Sequence, residues 1–201
     1  MAFDLRLTKH LGETRIDFAL EAGAGATVLF GPSGAGKTSV LNMIAGLLRP
    51  DAGHVRVSGD TLFDADARID LPPERRRAGY VFQEPRLFPH LRVRDNLRYG
   101  APGGLLDMAA IGFLGIAHLL DRWPRTLSGG EARRVAIGRA LLGAPAFLLL
   151  DEPLSSLDRA RREEILAAIE HIRDTVRLPI LMVTHDASEA ERIGTRIVTV
   201  G

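Results

Sequence analysis

Near its start the chain alternates apolar and polar residues with a period of two. Phe3-Asp4-Leu5-Arg6-Leu7 and Arg15-Ile16-Asp17-Phe18-Ala19-Leu20 both follow it, which predicts two half-buried strands. His10-Leu11-Gly12-Glu13 reads as the turn between them, giving an antiparallel flank. Val28-Leu29-Phe30 is apolar throughout, as a strand covered on both faces must be. A helix follows from Lys37 to near Gly46, then turn chemistry at Pro50-Asp51-Ala52-Gly53. His54–Ser58 alternates again, Pro72-Pro73 closes a polar connection, and Gly79-Tyr80-Val81-Phe82 is another short strand.

Between Gln83 and Thr126 the strand signal stops. Pro85, Pro89, Pro102, Gly103 and Gly104 break up short helical pieces around Val93–Tyr99, Leu105–Leu114 and Ala117–Arg122. Ser128-Gly129-Gly130-Glu131 then opens a helix to about Leu142. Ala146–Leu150 is the most apolar strand and belongs at the centre of a parallel sheet. A long helix near Asp158–Val176, a strand Pro179–Thr184, a short helix Ala187–Ile193 and a last strand Arg196–Val200 complete the alternation. The expected fold is therefore α/β. It has a mostly parallel core (1–82 and 143–201), an antiparallel β flank and an inserted helical lobe over 83–142.

Composition narrows the class without choosing a function. The net charge of +1 gives no bulk attraction to nucleic acid or to an anionic membrane. With no cysteine there is no disulfide and no thiolate metal site. No apolar run approaches the length of a membrane span. Met1–His10 does not read as a signal peptide, because charged residues interrupt it.

The chemistry centres on Gly31-Pro32-Ser33-Gly34-Ala35-Gly36-Lys37-Thr38, which lies between a predicted strand and a predicted helix. This is the phosphate-binding pattern G-x-x-x-x-G-K-[ST] in the context it requires. Glycines let several N–H groups face one anion, and the helix N-terminus adds about +0.5 charge. Lys37 reaches outer phosphates and the Thr38 hydroxyl holds Mg²⁺. A chain with 26 basic residues, of which only Lys9 and Lys37 are lysines, keeps a lysine here.

Asp151 and Glu152 end the most apolar strand. Mg²⁺ prefers oxygen ligands, so Asp151 is assigned to the metal through water and Glu152 to polarising the attacking water. Gln83 offers a neutral amide to metal or water. His185, at the end of Ile180–Thr184, can donate to a γ-phosphate, while Asp186 and Glu189 read as helix caps. Ligands of such sheets bind at the carboxyl ends of strands, where all of these fall.

Ser128-x-x-Glu131 is a capping box by itself, and a second phosphate site is an equally open reading. A charge count bears on this: Mg-ATP carries about −2, Lys37 about +1 and the loop helix about +0.5, leaving about −0.5 for another helix N-terminus. Two chains facing head to tail would supply it, with Asp158 of Ser155-Ser156-Leu157-Asp158 at the interface; Asp158 reads equally as a cap. Arg75-Arg76-Arg77 reads as a solvated face.

Gly31–Thr38, Gln83, Leu127–Glu131, Phe147–Glu152, Ser155–Asp158 and His185 occur in the order found in ATP-binding subunits of ABC transporters. They resemble that family's Walker A, Q-loop, signature, Walker B, D-loop and H-loop. Gly79–His90, Arg94–Gly100 and Leu127–Leu142 are further similar to subunits of bacterial molybdate importers. The resemblance implies ATP and Mg²⁺ as cofactors, with Thr38, Gln83 and Asp151 at the metal. It implies Glu152, His185 and Gln83 in hydrolysis, and Ser128, Gly129, Gly130, Glu131 and Asp158 supplied by a second copy. A membrane permease would dock near Gln83 and Leu87–Leu91, fed by a periplasmic binding protein, with the chain peripheral on the cytoplasmic face of the inner membrane and no nucleic acid partner. The alternative is a soluble ABC-type ATPase not coupled to transport. Glu131 stands where glutamine is commoner, although molybdate-type subunits can carry glutamate there. Leu11 stands where an aromatic often stacks on adenine. The chain ends at Gly201 without the small β domain such subunits append, which suggests a short paralogue or a truncated chain.

Overall fold

The computed structural model describes residues 1–200. Two five-stranded sheets carry the molecule. The antiparallel one contains β1 (Phe3–Leu11), β2 (Thr14–Ala22), β4 (Ala52–Val57), β5 (Asp60–Asp64) and β6 (Ile69–Asp70), in the order β2-β1-β4-β5-β6. The parallel one contains β3 (Ala26–Phe30), β7 (Ala78–Val81), β8 (Phe147–Asp151), β9 (Ile180–Thr184) and β10 (Arg196–Thr199), in the order β10-β3-β9-β8-β7. The helices are α1 (Lys37–Ala45), α2 (Val93–Arg98), α3 (Gly129–Leu142), α4 (Arg159–His171) and α5 (Ala187–Ile193).

The continuous apolar runs are explained by what covers the parallel sheet. Val28, Leu148, Leu150, Ile180 and Met182 pack in one cluster with residues of α2, α3, α4 and α5. Their neighbours in sequence, Leu29, Phe147, Leu149, Leu181 and Val183, pack in a second cluster with α1 and the antiparallel sheet. Successive side chains on a strand face opposite ways, so a sheet covered on both sides has no polar alternate. The antiparallel sheet is covered on one side, and Phe3, Leu5, Leu7, Ile16, Phe18 and Leu20 alternate with polar residues accordingly.

Several local expectations are corrected. The first turn is only Gly12-Glu13, since β1 extends to Leu11. Ala52 and Gly53, read as turn, open β4. Gly53 has φ 96°, and a Cβ there would lie 1.9 Å from the Arg6 carbonyl oxygen, so only glycine lets β4 pair so closely with β1. The polar connection after Ser58 contains β5 and β6. Ser58 and Gly59, with φ 51° and 93°, form the tight turn of a β4–β5 hairpin. No helix spans Leu105–Leu114, where only Gly112–Leu114 is a 3₁₀ turn. The Asp107 carboxylate takes the N–H groups of Ala109 and Ala110, an arrangement that competes with helix. α4 continues as a π-helical segment, Ile172–Val176, ended by Arg177 at φ 60°.

Arg75–Arg77 is not a solvated face throughout. The Arg76 side chain is 1% exposed and donates to the Met43 and Ile44 carbonyls, the Leu71 carbonyl and Asp70. It gives the Ile44 carbonyl at the end of α1 a donor and adds a second to the Met43 carbonyl, which also takes the Gly46 N–H.

Candidate active site

The strand order β3-β9-β8-β7 explains why residues so distant in sequence meet. Phe30 pairs with Thr184, Val183 with Asp151, and Leu150 with Val81. The loop Gly31–Gly36, His185, Asp151-Glu152 and Gln83 therefore leave adjacent strands at the same end of the sheet. Three adjoining cavities of about 860, 350 and 290 Å³ open there, all lined by Gln83.

The loop has the backbone its glycines permit: Gly34 and Gly36 have φ 87° and 82°. Lys37 is buried at the start of α1 and donates to the carbonyls of Gly31 (2.8 Å) and Pro32 (2.7 Å). Among the described residues it has no carboxylate partner. A buried ammonium held only by neutral carbonyls of its own loop is suited to receiving an anion. Ser33, Gly34, Gly36 and Lys37 line the cavity in front of it. Ile16 of β2 packs on Gly36, while Leu11 lies at the exposed end of β1.

The Thr38 hydroxyl donates to Asp151 Oδ1 at 3.0 Å, which puts two oxygen donors together at one point. Burial pushes the Asp151 carboxyl above the usual carboxylate range, and nearby Glu152 adds to this, against pulls from Thr38 and Lys37. A hydroxyl at the cavity edge paired with a buried carboxylate, beside a phosphate loop, offers the oxygen donors a hard divalent cation prefers.

Glu152 has φ 44°, a left-handed conformation that costs about 1–2 kcal/mol outside glycine. Its carboxylate takes Gln83 Nε2 at 3.4 Å on one oxygen and lies 3.2 Å from His185 Nδ1 on the other. Gln83 and His185 thus both meet the Glu152 carboxylate.

The second glycine-rich helix start stays outside this constellation in the single chain. Ser128 through Glu131 line none of the three cavities, and neither does Asp158. The capping box forms: Glu131 N donates to Ser128 Oγ at 3.3 Å, and Ser128 N to Glu131 Oε2 at 2.7 Å. That second bond holds the Glu131 carboxyl below its ordinary range. Asp158 caps α4, accepting from Arg161 N at 3.0 Å. Gly130 and Gly129 lie against Arg161 and Leu157, so the two motifs adjoin each other.

Some supporting residues carry no sequence signal. Arg133 on α3 is buried and donates to the Phe82 carbonyl at 2.8 Å, fixing the backbone just before Gln83. Tyr80 donates to Asn42 at 3.0 Å and stacks on Phe82, whose ring also carries Arg86.

A phosphate loop, an acid pair and two glycine-opened helices on an α/β core with an antiparallel flank define a nucleotide-binding cassette. The family model described as ABC transporter matches residues 14–155, and the chain belongs to that family. It is 52% identical over 204 residues to the Molybdenum import ATP-binding protein ModC of Rhizobium meliloti (strain 1021), covering 98% of this chain and 57% of that protein. It is 56% identical over 190 residues to the protein of that name from Brucella melitensis biotype 1, covering 90% of this chain and 53% of the relative. The chain thus spans a little over half the length of these curated relatives. A solved dimeric ATP-binding cassette, in a post-hydrolysis state bound to ADP and Pi, superposes with a TM-score of 0.77 at 27% identity, covering 98% of this chain and 94% of that one. Another dimeric structure of that same cassette, described as a bacterial ABC transporter cassette, gives a TM-score of 0.76 at 28% identity, covering 98% of this chain and 94% of that one. No helix among the described residues is long and apolar enough to cross a membrane.

Proposed function

We propose that this chain binds and hydrolyses ATP as the energy-supplying subunit of an ABC transporter that imports an oxyanion such as molybdate. It works as a head-to-tail dimer beneath separate permease subunits, on the cytoplasmic face of the membrane. The observation that carries the reading is Glu152 at the end of β8, contacted by Gln83 and by His185, beside Lys37 and the Thr38–Asp151 pair. The oxyanion is suggested by the relatives named for molybdenum import.

Each residue has a task its chemistry allows. The N–H groups of Gly31–Gly36 and the start of α1 bind phosphate oxygens, and Lys37 exchanges two neutral carbonyls for charged partners. Thr38, Asp151 and Gln83 would hold Mg²⁺, which would neutralise charge on the phosphates. Glu152 orients and polarises the attacking water, and His185 donates toward the terminal phosphate. Ser128–Glu131 and Asp158, which lie away from their own loop, serve the nucleotide of a second copy. We take 83–142 as the helical lobe and 1–82 with 143–201 as the core. A periplasmic binding protein acts on the transporter without touching this chain.

Glu152→Gln is expected to keep ATP affinity, to lower turnover at least about hundredfold and to accumulate an ATP-dependent dimer. Phosphate release and light scattering measure the two effects. A Glu152→Gln chain that stays monomeric with saturating ATP would count against the reading.

A further inference from the structure

His185 itself is lightly held: its side chain is 55% exposed, and its one ion-pair contact is Glu152. The backbone on either side of it is tightly held. Thr184 Oγ1 donates to Glu189 Oε2 at 2.6 Å and accepts from Asp186 N at 3.1 Å. Asp186 Oδ1 accepts from Ser188 N, Glu189 N and Ser188 Oγ. One Glu189 oxygen thus holds Thr184, just before His185, and one Asp186 oxygen, just after it, caps α5. The other oxygen of each faces one atom, Arg162 Nη1, at 3.0 Å from Asp186 Oδ2 and 3.5 Å from Glu189 Oε1.

Arg162 comes from a different part of the fold. It lies on the first turn of α4, and its N–H donates to the carbonyl of Asp158, the residue that ends the segment Ser155–Asp158. Ser155, Ser156, Arg162, Thr184, His185 and Glu189 line one cavity of about 290 Å³ with Gln83 and Glu152. The Glu189 side chain is only 7% exposed, so its charge depends on a cation in place. Burial pushes its carboxyl up, and Thr184 and Arg162 pull it back.

We propose that Arg162 is a positioning residue for hydrolysis, tying the start of α4 to the loop that carries His185, so that Ser155–Asp158 and His185 hold one fixed relation. The proposal rests on the ATPase reading above. A shift of about 1 Å in a group at the reacting centre can cost about hundredfold in rate, whereas nucleotide affinity depends on Gly31–Thr38, which Arg162 does not touch.

The test is steady-state ATP hydrolysis by the full chain, with active sites counted by nucleotide binding. Arg162→Met is expected to lower kcat at least about tenfold while KM for ATP stays within about twofold. Arg162→Lys keeps a cation and recovers kcat to within about threefold of wild type. Thr184→Val, which breaks the same network at its other end, lowers kcat as Arg162→Met does and stands in if that variant does not fold. Unchanged kcat per binding site in Arg162→Met, or in Thr184→Val where the former is unfolded, overturns the proposal. So does Arg162→Lys behaving like Arg162→Met. A wild-type chain without turnover overturns the ATPase reading and this proposal with it, whereas an active wild type with an unimpaired Arg162→Met overturns the proposal alone.

Discussion

Asp51 closes the open side of the β1–β2 hairpin. Its carboxylate takes the Lys9 ammonium at 2.7 Å and the His10 N–H at 2.8 Å, just before β4 begins. These donors, Lys9 first, pull its acidity from the ordinary 3.8 to about 2. The folded-state value is depressed, so the contribution to stability is complete above the unfolded value and is lost as pH falls toward 2. In thermal unfolding, the gap between wild type and Asp51→Asn is expected to be largest above about pH 5 and to close toward pH 2. A gap independent of pH would rule this out. The clamp is invisible in sequence, because 41 positions separate His10 from Asp51. Arg76 is a sharper case. Between Arg75 and Arg77 it looks like one charge of a solvated run, yet it alone turns inward to the end of α1. What distinguishes it is the set of carbonyls at the end of α1 within its reach, which belong to another element.

At the scale of the element, α3 was fully legible. Its cap, its N3 glutamate and its apolar spacing all lie within one short stretch, and both capping-box bonds form. Leu105–Leu114 was not, because the Asp107 side chain and the left-handed glycines Gly103 and Gly104 outweigh a weak apolar pattern. β5 was missed for the reverse reason: Leu62 and Phe63 are its only buried positions, between polar ends. The start of α3 also carries a testable double role. Ser128→Ala removes the cap and is expected to cost about 1 kcal/mol of stability, read as a drop of about 2–4 °C in Tm. A residue that also meets a phosphate costs far more in rate. Turnover of the folded variant at 25 °C should fall about hundredfold. A lowered Tm with wild-type turnover would leave Ser128 as a cap alone.

At the scale of the whole molecule, the two glycine-rich helix starts lie apart. The loop Gly31–Thr38 and the turn Ser128–Glu131 line no common cavity within one chain. If they complete each other across a two-fold dimer, Lys37→Ala and Ser128→Ala should each be inactive alone but active when mixed. A mixed dimer holds one intact pair of motifs, so equal mixing should restore about a quarter of wild-type turnover. Phosphate release against mixing ratio measures it, and a mixture no better than its components would refute sharing.

Chemistry written in consecutive residues was determined by sequence alone. The phosphate loop, the acid pair after four apolar residues and the two-sided burial of the parallel strands each depend on backbone conformation or side-chain alternation over a few positions. Tertiary structure decided which strands are neighbours, and therefore that Gln83, Glu152 and His185 touch. It also decided that Arg76, Arg133 and Arg162 serve distant backbone and carboxylates. A cation's partner is chosen by whichever acceptor the folded chain brings within about 3 Å, and local spacing carries no record of that choice.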